Sequence, residues 1–417
     1  MSYIIFDCHR KVNRMKKFKL HWQILIALVL AIIYGSIFKE GINYVSWLGD
    51  LFIRALKMIV IPLIITSLIT GITNVGSSKN LGRLSIKTLI YYIITSILAI
   101  ITGLILVNII KPGTGFEITI AEDISEYGIV QKPLKDTLIN IIPNNIFKAF
   151  TSENMLSIIF FSILFGFFII QIQKKHRELL TDFFSASFRV MMKITLFVIK
   201  FAPLGIFGIV AKVIAEQENL LDLFKSIGLF MTVVIAGLLF HAVVTLPSIL
   251  RFIGKTSPLR FFNSVLTPLL TAFSTQSSNA TLPLTIEAVE ENAGVSNKIS
   301  SFTLPLGATI NMDGTALYEL AVAGFIAQIY GIDLSISQQV IMVLTALLAS
   351  IGTAAIPMAS LVTMTIIFTA VGLPLEGIAI VMPVERILDM FRTTVNVWSD
   401  CCGAATIAVS EGEKLKV

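Results

Sequence analysis

Charged residues are scarce in this chain. Asp, Glu, Lys and Arg make up 14% of its 417 residues, whereas about 25% is typical of soluble domains. Hydrophobic residues make up 55%, and the mean hydropathy is +0.86. Because so apolar a chain cannot cover itself with polar surface in water, the composition argues against a soluble enzyme, a disordered protein and a nucleic-acid-binding module. It indicates an integral membrane protein.

Cysteine is also rare. Cys8, Cys401 and Cys402 cannot form a disulfide framework, and the sequence contains neither a CxxC motif nor a Cys/His ligand cluster. We therefore expect no zinc or redox chemistry and no cofactor. The net charge of +6 does not indicate a polyanionic partner, because the basic residues lie mostly in short loops.

The first 252 residues contain six apolar stretches that are long enough to span about 30 Å of hydrocarbon. They lie near residues 22–38, 47–72, 85–110, 155–172, 186–214 and 224–252. Basic residues dominate the loops after the second, fourth and sixth stretches, and the positive-inside rule makes these loops cytoplasmic. The N-terminal segment is also basic and no small-x-small cleavage site follows it, which predicts an uncleaved first helix behind a cytoplasmic arm.

After residue 256 the apolar stretches become shorter, and two of them are interrupted in the same way. Residues 273–285 (FSTQSSNATLPLT) and 349–360 (ASIGTAAIPMAS) each have a Ser-rich tip followed by Ala-x-[Leu/Ile]-Pro. Irregular backbone cannot face lipid, so such tips must be buried in protein or line a cavity. Paired interruptions indicate inverted repeats around a binding site at the membrane midplane. The alternative for each segment is a helix kinked by proline.

A third interruption lies between these two segments. In residues 305–319 (PLGATINMDGTALYE), Asn311 and Asp313 stand beside Gly307 and Gly314. Glycines and polar side chains within an apolar helix predict local unwinding. Freed carbonyl groups, a carboxylate and an amide are the hard oxygen ligands that an alkali cation needs. The alternative is that Asp313 simply caps a broken helix.

The last helix has a polar face. Its polar residues, spaced four, three, four and four apart, fall within roughly 80° of arc and are Glu385, Asp389, Arg392, Asn396 and Asp400. The residues between them are mainly apolar, so this face is expected to look into a helix bundle. Each ionised side chain at the bilayer centre costs about 2.5–3.5 kcal/mol, so the charges must be compensated.

Acidic groups outnumber basic ones in this predicted interior. Asp313 and Glu319 join the three acids of the last helix, whereas the bases are Arg386 and Arg392. Bound cations or protonation must offset the excess, which predicts a cation-dependent site. His241, a lone histidine on an apolar helix, is expected to be a hydrogen-bonded core residue rather than a proton relay.

Arg392 and Asp389 predict the kind of substrate. The guanidinium of Arg392 is suited to a carboxylate, and Asp389, one turn away, could receive an ammonium group. Together they indicate a zwitterion with an additional acid group. The alternative is a structural ion pair between the two residues at i and i+3.

Four stretches resemble the dicarboxylate/amino acid:cation symporters, the family of glutamate transporters and archaeal aspartate transporters. They are SSNATLP, NMDGTALYE, SIGTAAIP and LDMFRTTVNVWSD, in the family's order and spacing, and the similarity runs over most of residues 20–410. The resemblance implies an all-α integral membrane protein with eight transmembrane helices and two re-entrant helical hairpins related by inverted repeats. It also implies a homotrimer in which a transport domain moves like an elevator against a scaffold.

The domains implied by this resemblance cover most of the chain. They are a basic cytoplasmic arm (1–20), scaffold helices 1 and 2 (21–75), helix 3 of the transport domain (82–111), an extracellular loop (112–154), scaffold helices 4 and 5 (155–214), helix 6 of the transport domain (223–252) and a transport core with both hairpins and helices 7 and 8 (256–410). Both termini would lie in the cytoplasm of a multi-pass inner-membrane protein.

The resemblance also implies binding residues. The substrate site would comprise Ser277, Ser278, Met312, Thr315, Ile356, Asp389, Arg392, Thr393 and Asn396. Asp389 would hold the amino group and Arg392 the side-chain carboxylate. One sodium ion would use Gly307, Asn311, Asn396 and Asp400. A second would lie between Thr309 and the backbone of Ser350, Ile351 and Thr353. A third would use Tyr92, Thr95, Ser96, Asn311 and Asp313.

The chain also departs from the family pattern. Members usually have a second arginine near the site, but the two positions here are Gln276 and Met390, so Arg386 is expected to substitute in part. Glu319 resembles the proton-carrying glutamate of the animal glutamate carriers. This residue predicts proton co-transport in addition to sodium.

These observations predict a secondary active symporter that takes up glutamate or aspartate with sodium and protons, and not an enzyme. A C4-dicarboxylate:cation symporter is the alternative within the class, although Asp389 would repel a substrate without an amine. In a different class, an intramembrane aspartyl protease would use Asp313 and Asp389 as its paired acids, but no GxGD tract surrounds either residue. A passive anion channel suits a net-acidic interior poorly.

Overall fold

The computed structural model describes residues 20–76, 82–114, 139, 141–152, 154–216, 220–353 and 359–417. Residues 1–19 of the predicted N-terminal arm, most of the predicted loop at 112–154 and the tip of the second interrupted segment lie outside these ranges. Within the described ranges every regular element is helical. The predicted all-α class is therefore confirmed.

Each of the six apolar stretches coincides with a helix or a pair of helices. In chain order the elements are α1 (Leu20–Ile37), α2 (Asn43–Gly76), α3 (Gly82–Ile110), the short α4 (Ile146–Thr151), α5 (Met155–Gln171), α6 (Lys174–Ile199), α7 (Ala202–Glu216), α8 (Leu220–Phe240) and α9 (Leu246–Phe252). Among the described residues, Asn43–Thr73, Arg83–Ile110 and Leu221–Phe252 are long and apolar enough to cross a membrane, and α6 with α7 would add a fourth span. The total of eight spanning helices stays a prediction.

The fifth stretch departs from its predicted course. α6 begins well before residue 186 because its first half is amphipathic (KKHRELLTDFF), a pattern that a search for apolar runs misses. α6 and α7 then meet at a bend of 50°. Pro203, the second residue of α7, has no N–H to donate to the carbonyl of Ile199, which explains a break at this point.

The second half of the chain consists of shorter helices followed by one long helix. These elements are α10 (Pro258–Ser264), α11 (Leu266–Thr275), α12 (Ser278–Glu287), α13 (Asn297–Ile310), α14 (Asp313–Ile329), α15 (Ile336–Thr353), α16 (Ala359–Val371) and α17 (Ile378–Ser410). α11 packs against α12, and α15 packs against α16. Each predicted interruption therefore separates two packed helices, while a re-entrant path through the membrane stays a prediction.

Helix α14 lies at the centre of this half. Nearly all of its residues are buried, as expected for a helix with neighbours on every side. α3 and α17 pack against it. A Cβ at Gly103 of α3 would lie 2.7 Å from the Leu317 carbonyl oxygen, and one at Gly314 would lie 2.7 Å from the Arg392 carbonyl oxygen. These glycines therefore let both helices approach α14 closely.

A second set of helices consists of α1, α2, α5, α6 and α7. α2 packs against α5, α6 and α7, and α1 packs against α7. Large apolar side chains such as Leu25, Ile105 and Leu239 remain exposed on α1, α3 and α8, as expected for surfaces that face lipid. The division of the chain into scaffold and transport helices stays a prediction.

The C-terminal residues fold back onto the start of α3. Glu411 accepts hydrogen bonds from Lys87 and Arg83, each at 2.6 Å. Glu413 accepts one from the backbone N–H of Ser296 at 3.0 Å. The bonds from Lys87 and Arg83 hold the pKa of Glu411 below its ordinary value, because they favour the ionised carboxylate.

Candidate binding site

The predicted unwinding between α13 and α14 is confirmed. α13 ends at Ile310, α14 begins at Asp313, and Asn311 and Met312 between them have non-helical backbone angles. Asn311 and Asp313 are nonetheless fully buried. Because buried polar groups need hydrogen-bond partners, the partners of these two side chains define the site.

Asp313 lies at the centre of a buried hydrogen-bond network. Its Oδ1 accepts from the Ser96 hydroxyl at 2.6 Å and lies 3.4 Å from the Thr95 hydroxyl. Its Oδ2 accepts from the Ser399 hydroxyl at 2.6 Å and lies 3.2 Å from Nε2 of His241. The fold thus brings together Thr95, Ser96 and Asp313, three members of the third predicted sodium set.

Asn311 connects this network to Asp400. Its Nδ2 donates to Oδ1 of Asp400 and to the Ser399 hydroxyl, each at 2.9 Å. Its Oδ1 accepts from the Thr95 hydroxyl at 3.4 Å. Asn311 therefore contacts residues of the first and the third predicted sodium sets, as expected for a side chain assigned to both.

Gly307 and Tyr92 pack against Asp400. A Cβ at Gly307 would overlap Oδ1 of Asp400 and would lie 2.6 Å from the Tyr92 hydroxyl. That hydroxyl donates to the Thr303 carbonyl at 2.8 Å. The structure therefore places Tyr92, which was predicted in the third sodium set, beside Gly307 and Asp400 of the first.

Asn396 belongs to a neighbouring group of contacts. Its Oδ1 accepts from the backbone N–H of Gly314 at 2.8 Å. Its Nδ2 donates to the Thr315 hydroxyl at 3.1 Å and lies 3.2 Å from Sδ of Met312. Three predicted substrate residues are therefore in direct contact, and a fourth, Thr393, is buried on the same helix.

Arg392 is only 2% exposed, and two carboxylates hold it. Its Nη2 donates to Glu385 at 2.7 Å and to Asp389 at 2.8 Å. The guanidinium carbon lies 4.1 Å from the ring centroid of Tyr318, whose hydroxyl donates to Glu385. The structural ion pair weighed above is therefore present. It leaves Nε and Nη1 buried without a hydrogen-bond partner among the described residues.

The count of buried charges needs a correction at Arg386. This residue is exposed and forms no ion pair within the described ranges. Gln276, which lies between α11 and α12, donates a hydrogen bond from Nε2 to the backbone carbonyl of Arg386 at 3.2 Å. Arg392 is therefore the buried arginine that faces the predicted acids, so the excess of carboxyl groups is larger than the sequence suggested.

The predicted hairpin residues are described only in part. Ser277 caps α12 by accepting from the N–H of Ala280 at 3.2 Å, and Ser278 is the first residue of that helix. The hydroxyl of Thr309 donates to the Leu306 carbonyl at 2.9 Å, within its own helix. The side chains of Ser350, Ile351 and Thr353 and the whole of Ile356 lie outside the described residues. The second predicted sodium set therefore stays a prediction.

Glu319 lies deeper along α14 and is fully buried. One carboxylate oxygen accepts from the hydroxyl of Thr363 on α16. The other has no hydrogen-bond partner among the described residues. A buried carboxyl group in which one oxygen has no hydrogen-bond partner among the described residues can carry a proton on that oxygen.

The sequence did not point to Tyr318 or Thr363, whereas the prediction that His241 is a buried, hydrogen-bonded residue is confirmed. Tyr318 precedes Glu319 in an otherwise apolar helix, and a buried tyrosine hydroxyl usually has a polar partner, so a signal was available. Thr363 offered none, because its partner lies 44 positions away.

The fold and these contacts define a class of protein. A helix break inside an apolar bundle, lined by hydroxyls, an amide and carboxylates beside a buried arginine, is typical of an ion-coupled membrane transporter. The chain belongs to the sodium:dicarboxylate symporter family, whose sequence profile matches residues 20–410. Members of this family are transporters, so the protein is not an enzyme.

The chain is similar to named relatives over nearly its full length. The proton/sodium-glutamate symport protein of Geobacillus stearothermophilus is 38% identical, with 96% of each chain covered. The proton/glutamate-aspartate symporter of Escherichia coli K12 is also 38% identical, with 94% of this chain and 93% of the relative covered. Human excitatory amino acid transporter 3 is 36% identical, with 95% and 87% covered.

Proposed function

We propose that this protein is a secondary active symporter that takes up glutamate or aspartate together with sodium ions and protons. Membership of the family and the names of its relatives support this function. The observation that carries it is Arg392, whose buried Nε and Nη1 have no hydrogen-bond partner among the described residues. A substrate carboxylate bound to either nitrogen would satisfy one of these donors. Asp389, whose side chain is 31% exposed one turn away, would receive the amino group.

The sodium ions would lie at the break between α13 and α14. Thr95, Ser96, Asn311 and Asp313 bring hydroxyl, amide and carboxylate oxygens together in one buried cluster. No group of three His, Cys, Asp or Glu side chains within the described ranges is arranged to hold a metal ion. Mixed oxygen donors of this kind suit a hard alkali cation. Gly307, Asn311, Asn396 and Asp400 would serve another ion.

Glu319 would carry the proton. Its carboxyl group is buried between α14 and α16, and one oxygen is held by Thr363. An ionised carboxylate in such surroundings is costly unless it is paired, so protonation is a natural way to neutralise it.

Binding and uptake measurements would test this function. Isothermal titration of the purified protein with aspartate and with glutamate should show heat of binding in sodium chloride and little in choline chloride. In proteoliposomes, an inward sodium gradient should drive concentrative uptake, and an inward proton gradient should increase it. Binding or accumulation that ignores sodium would contradict the proposal.

A C4-dicarboxylate carrier is the second candidate, since two carboxylates would also suit Arg392. Asp389 argues against it, because no amine would offset that negative charge. Succinate should therefore compete poorly with labelled aspartate, and equal competition would favour the second candidate. The protease alternative loses support, because Asp313 and Asp389 have separate sets of partners.

We also propose that the two sets of helices act as scaffold and transport domain of an elevator-type homotrimer in the inner membrane. The packing of α2 against α5, α6 and α7, and of α1 against α7, supports this division. Native mass spectrometry of the detergent-solubilised protein should give the mass of a trimer, and a monomer or dimer would contradict the assembly. Thiol labelling of cysteines placed at each terminus should find both termini cytoplasmic.

A further inference from the structure

His241 is fully buried, and neither the motifs nor the predicted binding sets include it. Its Nε2 lies 3.2 Å from Oδ2 of Asp313, whereas its Nδ1 has no hydrogen-bond partner among the described residues. A hydrogen on Nδ1 would be a buried donor without an acceptor. The geometry therefore fits the neutral tautomer that carries its hydrogen on Nε2 and donates it to Asp313.

The local backbone fixes the position of this side chain. A π turn, His241–Thr245, joins α8 to α9, and the N–H of Leu246 donates to the His241 carbonyl. The next bond of this pattern would run from the N–H of residue 247 to the carbonyl of Ala242, but residue 247 is a proline and has no N–H. The indole of Trp398 donates to that carbonyl instead, at 3.0 Å. The turn is thereby tied to α17, and single π turns of this kind are frequent at functional sites.

The two oxygens of Asp313 have different surroundings. Oδ2 contacts His241 and Ser399, whereas Oδ1 contacts Thr95 and Ser96. A hydroxyl that donates to a carboxylate keeps lone pairs for a cation, whereas a donating Nε2–H has none. Nε2 of His241 therefore cannot bind sodium in this arrangement. It holds Oδ2 so that Oδ1 faces the hydroxyl oxygens.

We propose that His241 is a positioning residue for sodium, which acts by orienting the carboxylate of Asp313. This inference rests on the proposed sodium-coupled function, because it assigns Asp313 to a sodium site. Its consequence is specific. Loss of the Nε2 hydrogen bond weakens the response to sodium and leaves the affinity for the amino acid at saturating sodium nearly unchanged.

Two amide substitutions separate this role from packing. The amide of His241→Gln can reach the position of Nε2, whereas the shorter amide of His241→Asn reaches only that of Nδ1. The measurement is the sodium concentration that gives half-maximal binding of labelled aspartate to the purified full-length protein. We expect it to rise about tenfold in His241→Asn and to stay within about twofold of the wild-type value in His241→Gln. His176→Asn, at an exposed histidine, is the control and should match the wild type.

The outcomes are distinct. An unchanged sodium response in His241→Asn overturns the inference. So does an equal shift in both amide variants, because that result means the imidazole acts only by filling space. If the wild-type protein binds aspartate without sodium, the proposed function itself fails, and the variants are not needed to show it.

Discussion

Replacing Arg392 with Cys should abolish tight binding of acidic amino acids. In the proposed mode, Nε or Nη1 donates to the substrate carboxylate, and a hydrogen bond that involves a charged group contributes about 1.5–3 kcal/mol. Loss of this bond corresponds to a loss of affinity of about 10- to 100-fold. The assay is the sodium-dependent Kd for aspartate beside that for serine. The variant should lose the preference for aspartate and bind the neutral amino acid at least as well as the wild type does.

The same substitution also disturbs the folded protein. It leaves Glu385 and Asp389 without the guanidinium that holds them at 2.7 and 2.8 Å, and removing one partner of a buried ion pair typically costs about 3–5 kcal/mol. A second variant, Arg392→Cys with Glu385→Gln, removes part of this uncompensated charge and should be more stable. Arg386→Cys, at an exposed arginine of the same helix, is the control. An aspartate Kd within about threefold of the wild-type value in either Arg392 variant would refute the assigned role.

Three further predictions concern the proton, the ion site and the C-terminus. Glu319→Gln should make uptake in proteoliposomes insensitive to a proton gradient, and an unchanged uptake-linked pH change would contradict this. Gly307→Ala should weaken sodium binding and destabilise the protein by about 1–3 kcal/mol through overpacking, whereas Gly228→Ala, where a Cβ meets no atom within 4 Å, should do neither. Glu411→Gln should lower stability at pH 7 by about 0.5 kcal/mol. Because the pKa of Glu411 is lowered in the folded state, the difference should vanish as the pH falls through that pKa; thermal unfolding at several pH values measures it.

The sequence predicted the helix break and the polar face of α17 well. Asn311 and Asp313 beside glycines have no favourable place inside an apolar helix, so the pattern itself indicated unwinding. The residues Arg392, Asn396 and Asp400 recur at helical spacing, which places them on one face whatever the neighbouring helices are. Features that depend only on local propensity and periodicity could therefore be read from the chain.

The partners of these residues could not be predicted in the same way. Periodicity gives the face of a helix but not the rotation of the helix opposite, which packing determines. Asp313 meets His241 across 72 positions and Ser96 across 217. Arg392 was paired with Asp389 from spacing alone, and the contact with Tyr318 depends on how close α14 approaches at Gly314. Arg386 was counted as an interior base because spacing does not report exposure.

The same contacts give a physical reason for coupling between ions and substrate. Asn311 joins Asp400 to the Asp313 network through Ser399, and Asn396, on the same helix as Arg392, holds the N–H of Gly314 at the break. We therefore expect a cation that draws the oxygens of Asn311 or Asp313 together to shift the start of α14 against α17. That shift would move Met312 and Thr315 relative to Arg392. Because a coupling free energy acts equally in both directions, a substrate that fixes the same interface must also raise the affinity for the cation.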